Sequence, residues 1–250
     1  LFSLNLSSQL APDEELRAVC ITTAFNIDWP SSTKIGSEDQ KAEFINLIEA
    51  HKRNGINAVF VQIRPSGEVF YDSKLEPWSH WLTGIQGKAP DPYYDPLQFM
   101  LEECHKRGIE FHAWFNPFRA VSNIARVKTV PWHITKKHPE WFVTYGEEIV
   151  KIYFNPGIPE GRDYIVKVIM EVVHKYDIDG VHFDDYFYPV KQGGKDFPDY
   201  ESFLRYNPFG LNRADWRREN INDFIRTLSE SINSVKPKIK FWVGPSGVWR

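Results

Sequence analysis

The sequence predicts an α/β fold, a (β/α)8 TIM barrel of which this chain covers about the first five strands. Short β-branched runs alternate with polar loops and longer helix-like segments, which is the pattern of a parallel sheet. The turn after the first run is long and aromatic and has no G-x-G-x-x-G or P-loop, so a nucleotide-binding doubly wound sheet fits less well. Because five units occupy nearly the whole chain, we expect on the order of 100 further residues, at least three more units, beyond Arg250.

Five apolar runs are the predicted barrel strands. Each precedes a polar or aromatic loop, as strands do in repeated β/α units. A sixth run, residues 151–157, is interpreted as a loop excursion rather than an extra strand. The five strands are predicted at residues 18–23, 58–64, 110–116, 180–185 and 239–246.

Four segments with helical periodicity fill the gaps between these runs. Gly55 and Gly108 follow the first two at the position where a helix commonly ends in a left-handed residue, and Pro237 follows the last. The helices are predicted at residues 37–54, 96–107, 161–176 and 212–235.

Composition excludes several classes of protein. The net charge is −3 and no Lys/Arg block occurs, so a nucleic-acid partner is not expected. Cys20 and Cys104 provide neither a disulfide framework nor zinc spacing, and no run reaches the roughly 20 apolar residues of a membrane span. We expect no metal and no cofactor, and the sequence indicates no oligomeric state.

Two regions are predicted. Residues 1–15 are rich in Ser, Asn, Gln and Pro, as segments after a cleaved export signal are, so we expect an extracytoplasmic protein: periplasmic, in the cell envelope or secreted. Residues 16–250 are expected to form one barrel domain that is incomplete at its C-terminal end. The chain also has nine Trp, eleven Tyr and eighteen Phe, and some of these rings are expected on working surfaces, although a large aromatic core is the alternative.

Alternation within the strands separates an apolar face from a polar face. Alternate residues of a strand point to opposite sides of the sheet, so the polar set should line the barrel. Polar residues also collect toward the carboxyl ends of the strands, where parallel α/β folds place their sites. The residues predicted to bind substrate on this face are Gln62, Arg64, His112, Trp114, Asn116 and His182.

The stretch "DGVHFDDYFYP" is the centre of the predicted site. Asp184 would stand at the barrel mouth as a catalytic carboxylate, and Asp185 is a second catalytic candidate although alternation turns it away from the axis. Tyr186 and Tyr188 provide rings on which the C–H faces of sugars can stack. The alternative is structural: both aspartates could cap a turn or anchor Lys and Arg.

Arg64 ends the second strand, just before Pro65. Its planar guanidinium is expected to pair with Asp184 or to bind a substrate oxygen. His112, Trp114, Asn116 and Arg119 are expected to gather at the end of the third strand. Alternatively, Arg64 forms an ion pair whose role is only structural. His112 could likewise be a buried core histidine that makes its hydrogen bonds within the protein.

Five motifs occur in order: "RAVCITTAFNIDWPSS", "AVFVQIRPSGEVFY", "HAWFNPFR", "IYFNPGIPEGRDYI" and "DGVHFDDYFYP". From about Leu16 to the last residue, the chain closely resembles the bacterial glycosyl hydrolase-like 10 family, once called domain of unknown function 187. The resemblance implies an exported (β/α)8 barrel distantly similar to the α-amylase superfamily. It also implies hydrolysis of the glycan strands of peptidoglycan or of a related polysaccharide.

The α-amylase comparison implies that Asp184 is the nucleophile. Two departures from that pattern are His182, where arginine is usual, and a fifth strand without a glutamate that could act as general acid. The proton donor is then expected to be Asp185, Glu68, Asp28 or a residue beyond Arg250. The rival hypothesis is a catalytically silent barrel that binds glycans.

Overall fold

The structure, a computed structural model, describes residues 15–184 and 187–244. In this part of the chain the main sheet has five parallel strands, each paired with the one before it in the sheet. The strand order never reverses, which is the winding of a (β/α) barrel and not of a doubly wound sheet. The predicted fold class is confirmed. The strands are β1 (Ala18–Ile21), β2 (Ala58–Arg64), β3 (Glu110–Phe115), β7 (Gly180–Phe183) and β8 (Lys240–Val243).

The four long helices lie where the periodicity predicts them. All four begin and end within two residues of the predicted bounds. The helix predicted from residue 161 begins at Pro159, because proline suits a first helical turn. Three short helices occur in the loops. The described helices are α1 (Ser37–Arg53), α2 (His80–Thr83), α3 (Pro96–His105), α4 (Ile134–Lys137), α5 (Pro159–Lys175), α6 (Tyr200–Arg205) and α7 (Arg213–Val235).

The long helices cover the outer face of the sheet. Helix α5 buries residues three or four apart, so they form one stripe that faces the strands. The stripe joins the same apolar core as Val61 of β2 and Phe111 of β3, which are fully buried. The buried members on α5 are Ile165, Val168, Ile169, Val172 and Val173.

A second, antiparallel sheet lies in the segment between β3 and α5. It consists of β4 (Arg119–Val121), β5 (Phe142–Tyr145) and β6 (Lys151–Phe154), in the order β4-β6-β5. The loop predicted over residues 151–157 is therefore wrong for its first four residues. The partners of β6 lie elsewhere in the sequence, so a local pattern that ends in Asn-Pro-Gly could not reveal the pairing.

The two faces of this small sheet pack differently. Phe154 and Ile152 join the main core, whereas Tyr145 and Tyr153 form a separate cluster with Phe197. The second face thereby contacts the long segment that follows β7. Across the described ranges 15–184 and 187–244, none of the helices combines the length and the apolar character that crossing a membrane requires.

Candidate active site

Aromatic rings line the inner face of the main sheet. The Phe60 ring lies 4.8 Å from that of His112 and 4.6 Å from that of His182, measured between centroids. Trp114 lies 6.0 Å from His182, and Trp242 lies 6.1 Å from His112. All five occupy alternate positions on four neighbouring strands, so a continuous aromatic wall faces the inside of the barrel.

Asp184 lies at the carboxyl end of β7. Trp114 pairs with His182 and Phe115 pairs with Phe183, so the next residues, Asn116 and Asp184, come level at the ends of neighbouring strands. Asp184 is half-buried and Asn116 is buried. A carboxylate and an amide therefore stand side by side above the aromatic wall.

Cys20 identifies a second carboxylate near this end of the sheet. Its strand position is level with Phe60, so its thiol belongs to the same inner face. Burial raises the pKa of this thiol, and the negative charges of Asp184 and Asp28 raise it further. Asp28 is held by the loop after β1, where its Oδ2 accepts a hydrogen bond of 2.7 Å from the Thr22 amide. Both carboxylates therefore lie near the Cys20 thiol.

Gln62 holds the loop after β1 in place through hydrogen bonds. Its Oε1 accepts hydrogen bonds from the backbone amides of Thr23 (3.2 Å) and Ala24 (2.9 Å), and its backbone oxygen accepts one from the Thr23 hydroxyl (2.7 Å). Its Nε2 donates to Asn116 Oδ1 at 3.4 Å. The loop then adopts left-handed backbone angles at Phe25, φ 59°, and at the following residue, which a bulky side chain rarely adopts.

Several buried donors on the inner face have no hydrogen-bond partner among the described residues. They include Asn116 Nδ2 and Trp114 Nε1. A buried donor without a partner costs about 1–3 kcal/mol, so such groups usually mark a binding site or an ordered water. Both lie at the end of β3, next to Asp184 on β7.

His112 lies deeper than predicted. It is level with Gly180, the first residue of β7, and its Nε2 lies 3.0 Å from Glu110 Oε2 at the start of β3. Its side chain is fully buried and burial lowers its pKa. The expectation that His112 gathers with Asn116 at the strand end is corrected, because three residues of β3 separate them.

His182 belongs to the aromatic wall and lies two residues before Asp184. Its ring packs against Phe60 and Trp114. Burial, with a smaller contribution from His112, lowers its pKa to about 4. At neutral pH the imidazole is therefore uncharged, and it can contact a sugar face without bringing a positive charge beside Asp184.

Arg64 requires a correction. Its guanidinium binds Glu76 through two hydrogen bonds, Nε–Oε2 of 2.7 Å and Nη2–Oε1 of 2.6 Å, and donates to the Asn116 backbone oxygen at 2.7 Å. The expected pair with Asp184 does not form. A register shift after Gln62 sets Arg64 opposite Phe115, which faces the helices, whereas strict alternation would have set it on the inner face.

The remaining predicted residues have different surroundings. Tyr188 packs against Phe197 at 5.4 Å in the cluster beside the small sheet, and its hydroxyl accepts a hydrogen bond from Asn220. Glu68, considered as a proton donor, is fully buried and bound to Ser79 and Gln86. Asp185 and Tyr186 lie outside the described residues.

Trp242 and Cys20 complete the inner face but were not singled out from the sequence. The direction of both side chains could have been predicted, because alternate residues along β8 and β1 point to opposite faces of the sheet. As for a metal, residues 15–184 and 187–244 contain no group of three or more His, Cys, Asp or Glu side chains that could hold one.

Comparison with known proteins shows that this chain is similar to proteins named glycosyl hydrolases. Residues 15–250 match the family described as Glycosyl hydrolase-like 10. The chain is 48% identical over 252 residues to glycosyl hydrolase YngK from Bacillus subtilis (strain 168), an alignment that covers 100% of this chain and 48% of that protein. It is 39% identical over 253 residues to glycosyl hydrolase DigH from Escherichia coli (strain K12), covering 95% of this chain and 56% of that protein. The chain spans about half the length of these relatives.

A solved structure supports the fold independently. Alpha-L-fucosidase isoenzyme 2 from Paenibacillus thiaminolyticus superposes with a TM-score of 0.58 at 16% sequence identity. The match covers 92% of this chain and 32% of the fucosidase chain. At this identity the likeness concerns the barrel fold alone.

Proposed function

The chain belongs to the glycosyl hydrolase-like 10 family, and from that premise we propose that the full-length protein hydrolyses glycosidic bonds of a cell-envelope glycan, the glycan strands of peptidoglycan, outside the cytoplasm. The observation that carries the proposal is the position of Asp184. It is a half-buried carboxylate at the carboxyl end of a barrel strand, level with Asn116 and above a wall of rings. Barrel enzymes place their catalytic groups at this end of the strands.

Asp184 is assigned the attack on the sugar. As a carboxylate it can act as nucleophile on the anomeric carbon or as the base that activates a water. Either way the bond between the anomeric carbon and the leaving oxygen breaks, and that oxygen must receive a proton. This proton is assigned to the carboxyl group of Asp28, which would supply it from its carboxylic acid form and which lies near the same Cys20 thiol as Asp184.

Sugar recognition is assigned to the neighbouring side chains. The rings of Trp114 and His182 offer apolar faces for sugar C–H groups. Asn116 Nδ2 and Trp114 Nε1 are buried donors that sugar hydroxyl and acetamido oxygens would satisfy. This combination of rings and directed donors is typical of carbohydrate sites and supports a glycan substrate.

The test uses the full-length protein and purified peptidoglycan, with released reducing ends as the readout. Wild-type protein should release reducing ends, and Asp184→Asn should lower the rate at least roughly 100-fold while the protein stays folded. Asp163→Asn on the exposed surface of α5 is the matched control and should keep the wild-type rate. Binding of peptidoglycan by the wild-type protein without any release of reducing ends would instead support the silent glycan-binding barrel.

A further inference from the structure

Gln62 of β2 uses its side-chain amide within the protein. The residue is 2% exposed, and its Oε1 accepts hydrogen bonds from the backbone amides of Thr23 and Ala24, at 3.2 and 2.9 Å. Backbone N–H groups can only donate, so the atom that they contact must be the oxygen of the side-chain amide and not its nitrogen. These two hydrogen bonds therefore fix which way the Gln62 amide is turned.

The orientation of Gln62 sets the orientation of Asn116. The Nε2 of Gln62 lies 3.4 Å from the Oδ1 of Asn116, at the end of β3. Because Nε2 can only donate, it must face the oxygen of the Asn116 amide, and the Nδ2 of Asn116 is then turned the other way. Two buried amides in series thus connect the backbone of the loop after β1 to the direction of one donor at the end of β3.

The other polar groups of Asn116 are occupied. Its backbone N–H donates to the Arg64 backbone oxygen at 2.9 Å, and its backbone oxygen accepts from Arg64 Nη1 at 2.7 Å. Asn116 is 1% exposed, and its Nδ2 has no hydrogen-bond partner within residues 15–184 and 187–244. Since Asn116 stands level with Asp184, this buried donor is the group that it offers to a ligand at the end of the barrel.

We propose that Gln62 is a positioning residue, which holds the Asn116 amide so that an N–H group and not an oxygen faces the sugar beside Asp184. The inference rests on the proposed function and adds to it the polarity of one sugar contact. The sugar group at this position must then be a hydrogen-bond acceptor, such as a hydroxyl oxygen or an acetamido carbonyl oxygen. If the Asn116 amide turned over, two oxygens would face each other and the hydrogen bond would be lost.

The first test follows the Asn116 amide itself and needs no glycan. The full-length protein is prepared with ¹⁵N-labelled asparagine, and the side-chain amide signal of Asn116 in the NMR spectrum is identified by its loss in Asn116→Asp. In Gln62→Glu the ionised carboxylate can only accept, so Asn116 must turn its Nδ2 toward it, and we expect the amide signal to shift. Acidification protonates the introduced group, which then donates as glutamine does, so the signal should return toward its wild-type position.

Titratable groups near Gln62 are present in wild type and variant alike, so the wild-type titration is subtracted from that of the variant. They are Cys20, Asp28, His182 and Asp184. Gln98→Glu, at an exposed position on α3, is the matched control and should leave the Asn116 signal as it is in wild type. A Gln62→Glu signal that follows wild type across the whole titration would overturn the positioning role.

The second test measures glycan binding. Oligosaccharides of alternating N-acetylglucosamine and N-acetylmuramic acid are titrated into the full-length Asp184→Asn protein, with and without Gln62→Met. Methionine is close to glutamine in size but has no N–H donor to hold the Asn116 amide, so we expect the affinity to fall roughly tenfold, the value of one hydrogen bond. In the Asn116→Ala background, Gln62→Met should have little further effect, because the side chain that Gln62 positions is gone.

A loss of affinity that is equally large in the Asn116→Ala background would overturn the proposal, because Gln62 would then act only through the loop after β1. Unchanged affinity in Gln62→Met would overturn it as well. Failure of the proposed function looks different: the Asn116 signal would still respond to Gln62→Glu, while the wild-type protein neither bound nor cleaved the oligosaccharides.

Discussion

Arg64 and Glu76 form a bidentate ion pair in which both side chains are fully buried. Burial alone would lower the pKa of Arg64, but the charge and hydrogen bonds of Glu76 outweigh burial and raise it above its ordinary value. The remaining Arg64 nitrogen, Nη1, donates to the backbone oxygens of Asn116 and Pro117 at 2.7 and 3.1 Å. The pair therefore holds the end of β3, where Asn116 stands beside Asp184.

Breaking this pair should destabilise the fold. Arg64→Met leaves the carboxylate of Glu76 buried without a partner, so we expect a loss of roughly 3–5 kcal/mol in the free energy of unfolding. Urea unfolding followed by tryptophan fluorescence measures it. The double variant Arg64→Met with Glu76→Leu removes both charges and should regain a large part of the loss. A single variant as stable as wild type would contradict the structural role assigned to Arg64.

Gly180 should not tolerate a larger residue. A Cβ there would overlap the Nδ1 of His112, whose ring is confined by Phe60 and Trp242. We expect Gly180→Ala to cost roughly 1–3 kcal/mol, the usual range for overpacking. His112→Ala in the same chain should relieve the overlap, giving a favourable coupling in a double-mutant cycle. Gly36→Ala, where an added Cβ meets nothing within 4 Å, is the control and should change stability far less.

His182 should make stability depend on pH in the acidic range. Its pKa is about 4 in the fold and about 6.5 when unfolded, so between these values the unfolded chain binds more protons. Stability contributed by neutral His182 is present above pH 6.5 and is lost progressively as pH falls toward 4. Replacing this residue in His182→Gln should flatten the pH profile of the unfolding free energy over that interval.

The control for this profile is His174→Gln, at an exposed position on α5. The fully buried His133, whose pKa burial also lowers to about 4, is present in the wild type and in both variants. Its contribution to the pH dependence therefore cancels when the profile of a variant is subtracted from that of the wild type. A His182→Gln profile that runs parallel to wild type between pH 6.5 and 4 would contradict the assignment.

Much of this fold followed from local sequence pattern, and the errors have identifiable causes. Alternation gave the correct faces for Trp114 and His182, because β3 and β7 keep their register. It failed at Arg64, where a register shift that depends on the neighbouring strand reverses the direction of the side chain. It also missed β6 (Lys151–Phe154), because an antiparallel pairing with β4 and β5 leaves no local signature. In each case the missing information was how the strand pairs with strands that are distant in the sequence.

Asn116 should contribute to substrate binding through its amide nitrogen. Asn116→Asp keeps the oxygen that accepts from Gln62, removes the Nδ2 donor, which has no partner among the described residues, and adds a negative charge beside Asp184. We expect kcat/KM on peptidoglycan to fall roughly 10- to 100-fold, because the lost hydrogen bond and the like charge beside Asp184 act in the same direction. Asn123→Asp, which likewise keeps its oxygen for the Ala125 amide, serves as control and should leave kcat/KM unchanged. An equal effect of the two substitutions would remove Asn116 from the site.

The central claim, that hydrolysis depends on the carboxylate of Asp184, is tested most directly by chemical rescue. The rate of glycan-strand cleavage in peptidoglycan, followed by chromatography as the appearance of shorter chains, is measured for the full-length Asp184→Ala protein with and without sodium azide, a small anion that can occupy the space of the missing carboxylate and leave a glycosyl azide on the cleaved chain. We predict a rate at least roughly 100-fold below wild type without azide and a substantial recovery with it, because the defect is the loss of one anionic group. A folded Asp184→Ala protein that hydrolyses peptidoglycan at the wild-type rate without azide would contradict the claim.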